Sequence, residues 1–408
     1  MGRITKVFGQ HDEKTIKQLE DVASRADAAA LMADGHLGYV MPIGGVAAYD
    51  NKVSVVGVGF DIACGNAAIR TDLRADAYSR EDWASLADEI ASTMSFGIGR
   101  SNLADDAPVN HSLFAHDAWS LLPKEANAPG LRTKARNQLG TVGSGNHYVD
   151  VFSDENGDIW VGVHFGSRGL GHTIASGFLA LSQGKKWGDR VPEAEALLDL
   201  RTPLGDDYWQ LMELAGEYAY AGREWVARKV VEIMGGHERE LVHNHHNFAW
   251  RETQLIENEP REVVVVRKGA TPAFPGQKGF IGGSMGDDAV IVRGASSGTE
   301  LQASALYSTV HGAGRVMSRT QAAGKTKGWG PKKRIVAPGL ISPEMLKSWV
   351  IDEKRVILRG GGLDEAPQAY RRLPEVLSAQ GQTIEVLHTL RPIVVVMAGA
   401  DEFDPYKD

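Results

Sequence analysis

Apolar residues recur along the chain with two different periods, and these periods predict both helices and strands. Near the N-terminus, Ile16, Leu19, Val22 and Ala26 follow one another at the spacing of an amphipathic helix. The same spacing predicts helices over residues 13–30, 80–94, 206–234, 344–350 and 366–380. Short runs rich in β-branched residues predict strands over 52–58, 67–73, 158–163, 263–267, 289–293 and 383–396.

The segments between these elements predict loops. Residues 32–38 carry a carboxylate and an imidazole among glycines, and residues 104–130 contain three prolines, which favour a helix with long loops. The chain has no internal repeat, no low-complexity tract and no convincing linker. Although 408 residues are enough for two domains, we therefore predict one compact α+β domain with mixed β-sheets and helices packed outside.

Composition narrows the class of protein. Hydrophobic residues make up 43% and charged residues 24% of the chain, as in a soluble globular enzyme, and no window approaches the roughly 18 apolar residues of a membrane span. The N-terminal residues lack an apolar signal core, and one cysteine cannot form an internal disulfide. We therefore expect a cytoplasmic protein with no membrane contact. The net charge of −8 argues against a surface-wide nucleic-acid coat but not against a local basic groove.

The lone cysteine lies in a glycine-flanked turn that also carries a carboxylate. Cys64 follows Asp61 by three residues, and by itself it would be interpreted as a small buried apolar residue. Several of the thirteen histidines, however, lie in polar or glycine-rich loops, which are Asp34-Gly-His36-Leu-Gly38, Gly143-Ser-Gly-Asn146-His147, His164-Phe-Gly-Ser-Arg168, His243-Asn-His245-His246-Asn247 and His311-Gly-Ala-Gly-Arg315. Imidazole, thiolate and carboxylate together predict a transition-metal site, and ligand softness alone favours zinc over manganese.

A second signal is electrostatic. Residues 301–342, the acid-free segment, contain no Asp or Glu but carry Arg315, Arg319, Lys325, Lys327, Lys332, Lys333 and Arg334. Such a run is usually a solvated basic face. Because this one includes a histidine loop in an acidic protein, we expect a phosphate-binding groove.

In their order along the chain, these motifs resemble the RtcB family of RNA ligases, also called tRNA-splicing ligases. The resemblance is carried by Asp34-Gly-His-Leu-Gly38, Asp61-Ile-Ala-Cys64-Gly, Gly143-Ser-Gly-Asn-His147, His164-Phe-Gly-Ser-Arg-Gly169, His246-Asn247, Arg267-Lys-Gly-Ala270, Gly283-Ser-Met-Gly286 and His311-Gly-Ala-Gly-Arg-Val-Met-Ser-Arg319. It extends from about Asp34 to Gly399. It implies one ligase domain over 1–408, with a central metal cleft and a short C-terminal tail at 400–408.

The resemblance also implies an activity. Family members join RNA ends bearing a 2′,3′-cyclic phosphate or 3′-phosphate to 5′-hydroxyl ends, in RNA repair or tRNA splicing. They use GTP and manganese, with two Mn²⁺ in each active site and a histidine–guanylate intermediate. The expected partners are therefore GTP and RNA with broken ends, including tRNA, and a requirement for an activating helper protein stays open.

Site roles follow from the same resemblance. His311 would be the catalytic nucleophile, and Asp34 would orient its ring. The implied metal ligands are Asp61, Cys64, His147, His164 and His246, with Cys64 bridging the two ions. The implied nucleotide-binding residues are Asn146, Asp150, Asn247, Gly283, Ser284, Met285, Gly312, Ala313 and Gly314. The implied RNA- or phosphate-binding residues are Arg168, Arg315 and Arg319.

The chain departs from the family pattern at a few positions. Ala63 replaces a usual glycine beside the cysteine, Asp150 stands for Glu, Ala289 for Ser and Ala398 for Lys. The last three are interpreted as one nucleotide sub-pocket, so that either compensating contacts preserve guanine selectivity or a ligase paralogue with altered nucleotide specificity has arisen. Two further alternatives are a two-metal phosphoesterase that cleaves cyclic phosphates and a non-catalytic RNA-binding protein that uses the acid-free segment.

Overall fold

Two β-sheets organise the chain in a computed structural model, which describes residues 3–327, 334–400 and 402. The strands are β1 Arg3–Val7, β2 Ala28–His36, β3 Ile43–Tyr49, β4 Lys52–Ser54, β5 Gly65–Arg74, β6 Tyr148–Ser153, β7 Asp158–Phe165, β8 Leu197–Asp199, β9 Glu238–His245, β10 Asn247–Ile256, β11 Glu259–Lys268, β12 Ala270–Pro272, β13 Lys278–Ile281, β14 Ala289–Gly294, β15 Ser308–Val310, β16 Gly324–Lys327, β17 Arg334–Pro338, β18 Ile357–Gly361 and β19 Ile384–Gly399. The α-helices are α1 Glu13–Ala23, α2 Val55–Val58, α3 Arg80–Thr93, α4 Ala128–Gln138, α5 Arg168–Ser182, α6 Pro203–Ile233, α7 Glu300–Ser304, α8 Arg319–Ala323, α9 Pro343–Leu346 and α10 Leu373–Gln380.

The larger sheet has the strand order β13-β14-β19-β6-β7-β5-β9, and β18 also pairs with β19. Side-chain amides join β13, at one edge, to β5 and β9 at the opposite end of the sheet. Asn66 Nδ2 on β5 donates to the Phe280 carbonyl on β13 (2.7 Å), and the Phe280 amide donates to Asn244 Oδ1 on β9 (2.9 Å). The sheet is thereby nearly closed, and an apolar cluster that includes Phe152 and Trp160 packs with Phe280.

The second sheet has the order β1-β2-β3-β11-β10, and the long helix α6 packs against β5 and β7 of the larger sheet. Helix α6 begins after Thr202, whose hydroxyl accepts a hydrogen bond from the Gly205 amide (3.3 Å), with Pro203 in its first turn. Its buried stripe includes Leu211 and Tyr218. This packing carries the middle of α6 to the ends of the strands that bear the predicted metal ligands.

The observed architecture confirms the predicted α+β class, with mixed sheets, outer helices and one compact domain. Most of the predicted elements also exist, among them α3, α6, β5, β7, β11, β14 and β19. The domain assignment 1–408 with a tail at 400–408 stays a prediction, because only Ala400 and Glu402 of that tail belong to the described residues. Within the described ranges, no helix has both the length and the apolar character needed to cross a lipid bilayer.

The N-terminal prediction was wrong in two places. The helix predicted over 13–30 ends at Ala23, and the segment predicted as a loop over 32–38 belongs mostly to strand β2. Alanines 28–30 favour a helix locally, but β2 pairs with both β1 and β3 and is almost completely buried. Pairing on both edges overrides the local preference, and it places Asp34 in a strand.

Other boundaries also differ. The strand predicted over 52–58 ends at Ser54, whose hydroxyl accepts from the Gly57 amide (2.8 Å) and so caps the short helix α2. The helix predicted over 366–380 begins only at Leu373, after two 3₁₀ turns. The segment predicted over 344–350 is the short helix α9 followed by a π-helix, and the helix within 104–130 begins at Ala128.

Candidate active site

Strand pairing gathers the predicted metal ligands at one end of the larger sheet. Cys64 directly precedes β5, His164 lies near the end of β7, and His246 lies between β9 and β10. Gly65 pairs with Phe165 on β7 and with His245 on β9. This register puts the cysteine beside both histidine-bearing strand ends, although the three residues are far apart in sequence.

The donor atoms form two groups that share the thiol. Cys64 Sγ lies 3.8 Å from His147 Nε2 and 3.7 Å from His164 Nε2, and Asp61 Oδ2 lies 3.2 Å from His147 Nε2. The donor atoms of Cys64, His164 and His246 all lie within 4.8 Å of one another, as do those of Asp61, Cys64 and His147. We call these groups the inner triad and the outer triad, respectively.

Hydrogen bonds on the far side of two rings direct their lone pairs at the thiol. His147 Nδ1 lies 3.0 Å from the Val142 carbonyl oxygen, and His164 Nδ1 lies 2.7 Å from Asn66 Oδ1. Both oxygens accept, so both Nδ1 atoms carry the proton and both Nε2 atoms present lone pairs. His246 Nδ1 is buried without a hydrogen-bond partner among the described residues, an arrangement that a bound ion would satisfy.

The protonation states also suit metal ligands. Burial lowers the pKa of His164 and of His246 well below the usual value, so both imidazoles are neutral. Burial, and then the neighbouring Asp61 carboxylate, raises the pKa of the Cys64 thiol. A bound cation opposes this effect because it stabilises the thiolate. Neutral imidazoles, one thiol and one carboxylate in two triads therefore fit two transition-metal ions.

The predicted nucleophile lies beside the inner triad. The ring centroids of His246 and His311 are 4.9 Å apart. His311 Nδ1 lies 2.6 Å from Oδ2 of the fully buried Asp34, although this contact is not aligned as a hydrogen bond. The same oxygen accepts from the backbone amides of His311 (2.9 Å) and Gly312 (3.2 Å). Burial raises the pKa of Asp34, but the His311 ring and amide outweigh burial and bring that pKa below its usual value.

A cavity of about 730 Å³ adjoins these groups. The predicted residues that line it are Asn146, Asp150, His164, Gly283, Ser284, Met285, His311, Gly312, Ala313, Gly314, Arg315 and Arg319. Asp150 Oδ1 and the Tyr148 hydroxyl are buried without hydrogen-bond partners in the described part of the chain, and burial raises the pKa of Asp150 well above its usual value. Unsatisfied polar groups beside apolar walls such as Val395 and Met397 are typical of a specific ligand site.

Two of the predicted ligand-binding residues do not line this cavity. Asn247 accepts a hydrogen bond from the Gly269 amide at Oδ1 (2.8 Å) and from the Ala63 amide at its carbonyl oxygen (2.7 Å). Arg168 donates to the Gly97 carbonyl (2.9 Å) and to the Thr141 hydroxyl (3.1 Å). The backbone of Asn247 therefore anchors the Cys64 turn, its side chain anchors Gly269, and Arg168 anchors the segment that precedes His147.

The departures from the family pattern do not cluster as predicted. Asp150 lines the cavity, whereas Ala289 packs in the apolar cluster inside the larger sheet. Ala398 is buried near the end of β19 and does not line the cavity, although Met397 does. Side chains alternate between the two faces of a strand, so neighbouring positions on β19 face different surroundings. Of these three positions, Asp150 is the one that lines the cavity.

The two arginines at the cavity are already paired with acids. Arg319 Nη1 lies 2.9 Å from Asp364 Oδ2 and also contacts the Glu365 carboxylate. Arg315 Nη1 donates to the Tyr370 hydroxyl (2.8 Å) and lies 3.4 Å from Glu365 Oε2. Both acids are nearly buried. The carboxylates that pair with these two arginines therefore come from Asp364 and Glu365, outside the acid-free segment.

Two further basic residues of this segment do not line the cavity. Lys325 and Arg334 are exposed on the hairpin formed by β16 and β17. Lys332 and Lys333 lie outside the described residues. An RNA-binding track along this hairpin stays a prediction.

The sequence interpretation missed Arg223, a fully buried residue of α6. Burial lowers its pKa to about 10, so the guanidinium is still charged at neutral pH. It donates hydrogen bonds to the carbonyl oxygen of Ala63, which precedes Cys64, and to that of Phe165, which follows His164. The available signal was its position in the buried stripe of α6, together with Ala219 and Val226, since an arginine on an apolar face needs internal partners.

The fold and the site together define a class of α+β proteins in which two thiol-sharing ligand triads lie beside a buried Asp–His pair. The chain matches the family model described as tRNA-splicing ligase RtcB over residues 15–398, and it belongs to this family. It is 31% identical to the RNA-splicing ligase RtcB of Escherichia coli strain K12, over 90% of this chain and 89% of that protein. It is 30% identical to the tRNA-splicing ligase RtcB of Thermococcus kodakarensis, over 90% of this chain and 86% of that protein.

Proposed function

We propose that this protein is a GTP- and manganese-dependent RNA ligase. It would join RNA ends that carry a 2′,3′-cyclic phosphate or a 3′-phosphate to 5′-hydroxyl ends, in RNA repair or tRNA splicing. Family membership and relatives named as RNA- and tRNA-splicing ligases support the proposal. The observation that carries it is the position of His311, which contacts buried Asp34 on one side and the ring of His246 on the other.

His311 has the environment that a nucleophilic imidazole requires. Its Nδ1 is held at Asp34, which leaves Nε2 free for reaction. The Nε2 lone pair would attack the α-phosphorus of GTP, so that a nitrogen–phosphorus bond forms while the bond to the departing pyrophosphate breaks. The Asp34 carboxylate would stabilise the positive charge that the ring then carries.

The second half of the reaction returns His311 to its starting state. A 3′-phosphate oxygen of the RNA would attack the guanylate phosphorus, which breaks the nitrogen–phosphorus bond and activates the RNA end. A 5′-hydroxyl would then attack that activated phosphate, form the phosphodiester and release GMP. A cyclic phosphate would first be opened by water to the 3′-phosphate.

The donors of the two triads would hold two Mn²⁺ ions, with Cys64 shared between them. When bound, the ions would spread the negative charge that develops on the phosphoryl oxygens. Manganese rather than zinc rests on the family resemblance. Near the triads, the backbone amides of Ala313 and Gly314 would donate to phosphate oxygens, and Asp150 and Tyr148 would meet the polar edge of the base.

A sealing assay tests this function. Purified protein is incubated with a model RNA that has a 2′,3′-cyclic phosphate and a 5′-hydroxyl, with and without GTP and Mn²⁺. We expect ligation only when both are present, and none with His311→Ala. Sealing without GTP, or by the His311→Ala variant, would contradict the proposed mechanism. The same assay shows whether a helper protein is required.

The alternatives give different results with the same protein. A two-metal phosphoesterase would cleave cyclic phosphates, and His311→Ala would retain that hydrolysis. A paralogue with altered nucleotide specificity is favoured by one observation, the shorter carboxylate of Asp150 at the cavity. Incubation with each labelled NTP and Mn²⁺ tests it, because adduct formation with GTP alone would argue against altered specificity.

A further inference from the structure

Arg223 reaches the backbone beside two of the three inner-triad donors. Its Nη1 donates to the carbonyl oxygen of Ala63 (2.9 Å) and to that of Phe165 (2.6 Å). Ala63 directly precedes Cys64, and Phe165 directly follows His164. One nitrogen of α6 therefore ties together the turn and the strand end that carry these ligands.

The other nitrogens of Arg223 reach the third donor's strand. Its Nη2 donates to His245 Nδ1 (2.8 Å), and its Nε donates to His243 Nε2 (3.0 Å). His245 directly precedes His246, the remaining inner-triad donor. A guanidinium presents its donors in a rigid planar fork, so these bonds set the relative positions of three chain segments at once.

The Cys64 turn has particular need of such support. Ala63 has a φ of +61°, a left-handed conformation that a residue with a Cβ rarely adopts. Its amide donates to the Asn247 carbonyl (2.7 Å), and its carbonyl accepts from Arg223. Both polar groups of this strained residue are thus held by neighbouring segments.

The outer triad is oriented by other groups. His147 is fixed through the Val142 carbonyl, and its Nε2 contacts Asp61. Within the described part of the chain, Arg223 donates no hydrogen bond to His147 or Asp61, and it reaches the outer triad only through the shared Cys64 turn. The two triads therefore differ in their dependence on this guanidinium.

We propose that Arg223 is a positioning residue that holds Cys64, His164 and His246 in the arrangement needed to bind the inner metal ion. The proposal rests on the two-metal site of the proposed function but not on the ligation reaction. It extends the site to a residue that touches neither metal ion nor substrate and acts through the backbone.

Metal binding by the full-length protein tests this role. Wild type, Arg223→Lys and Arg223→Gln are stripped of metal and titrated with Mn²⁺ by equilibrium dialysis, and with Co²⁺ while the thiolate-to-cobalt absorption is recorded. We expect wild type to bind about two ions per chain. Each variant should bind one ion about 10- to 100-fold more weakly and show altered thiolate absorption, while the affinity for the other ion changes little.

A matched control separates positioning from stability. Arg267 is also fully buried but pairs with Glu252, so Arg267→Lys should lower stability and leave both metal affinities unchanged. If Arg223→Gln does not fold, Arg223→Lys decides, since it keeps the charge but cannot reproduce the planar fork that joins the two carbonyls to His243 and His245. Selective restoration of the weak site in Arg223→Gly by added guanidinium ion would support the proposal.

Three outcomes would contradict the proposal in different ways. Wild-type affinity for both ions in folded Arg223 variants would overturn it. An equal loss of both ions in proportion to lost stability would show a structural role alone. Absence of metal binding by wild type would overturn the two-metal site itself. Failure of wild type to seal RNA despite intact metal binding would contradict only the ligase function and would leave the role of Arg223 standing.

Discussion

The five triad donors beside the cavity, here called the floor, and the arginine rim differ in how their polar groups are satisfied. The floor donors lie close to one another, and His164 is the one that also lines the cavity. They include a His246 nitrogen without a partner among the described residues. The rim consists of Arg315 and Arg319, whose charges are paired with buried acids. Buried donors without partners are unfavourable unless a ligand meets them. The floor therefore has donors that metal ions would satisfy, whereas the rim arginines are held in place by the carboxylates of Asp364 and Glu365.

The largest expected effect comes from removing the donor that both triads share. Cys64→Ala leaves each triad with two donors, so we expect the protein to lose both ions and sealing to fall about a thousandfold or more. Metal analysis and single-turnover sealing measure this. Because the chain has no other cysteine, a Cys64→Ala protein that kept two ions would show that the thiol is not the shared ligand.

A smaller but still large effect on activity is expected from changing Asp34, which contacts His311 beside the floor. Asp34→Asn preserves the shape of the side chain but removes the carboxylate charge next to His311. We expect formation of the histidine–nucleotide adduct to slow by about 10²- to 10⁴-fold. Labelling with GTP measures the adduct, and metal content serves as the control. Unchanged labelling would mean that Asp34 does not assist the nucleophile.

At the rim, the expected effect on activity is only a few-fold. Glu365→Gln removes a carboxylate that contacts both arginines. We expect the free energy of unfolding to fall by about 3 kcal/mol and the apparent affinity for 3′-phosphorylated RNA to become more sensitive to salt. Denaturant unfolding and binding at two ionic strengths measure these changes. Glu344→Gln, at an exposed acid, is the control, and an equal response in both variants would argue against a neutralised rim.

The smallest expected effect concerns the Cys64 turn. Ala63→Gly relieves the steric strain of a left-handed conformation, which should stabilise the folded protein by about 1 kcal/mol. Glycine also raises the conformational entropy of the unfolded chain, which should offset about 0.5 kcal/mol of this gain. The net stabilisation should be about half a kcal/mol, measured by denaturant unfolding, with metal content unchanged. Ala84→Gly in α3 should instead destabilise the protein by about 1 kcal/mol. Destabilisation by Ala63→Gly would show that the turn is not strained.

Local spacing was sufficient for part of the fold and of the site. The 3.6-residue period identified α6, and β-branched runs identified β7 and β14, since each pattern depends only on near neighbours. The chemistry of the donors was also evident from residue types in glycine-rich loops. The same local reasoning failed at β2, where pairing with two other strands decides the conformation of alanines that would otherwise favour a helix.

The sequence by itself thus determined the α+β class and the order of the cysteine and histidine loops, and its family resemblance predicted the five donors. Only the tertiary structure decided which donors meet, because the register that pairs Gly65 with Phe165 and His245 joins distant segments. Tertiary packing also supplied the acids that neutralise the arginine rim and placed Arg223 behind the inner triad. Contacts of this kind depend on strand pairing and helix packing over long separations, which no local pattern of residues encodes.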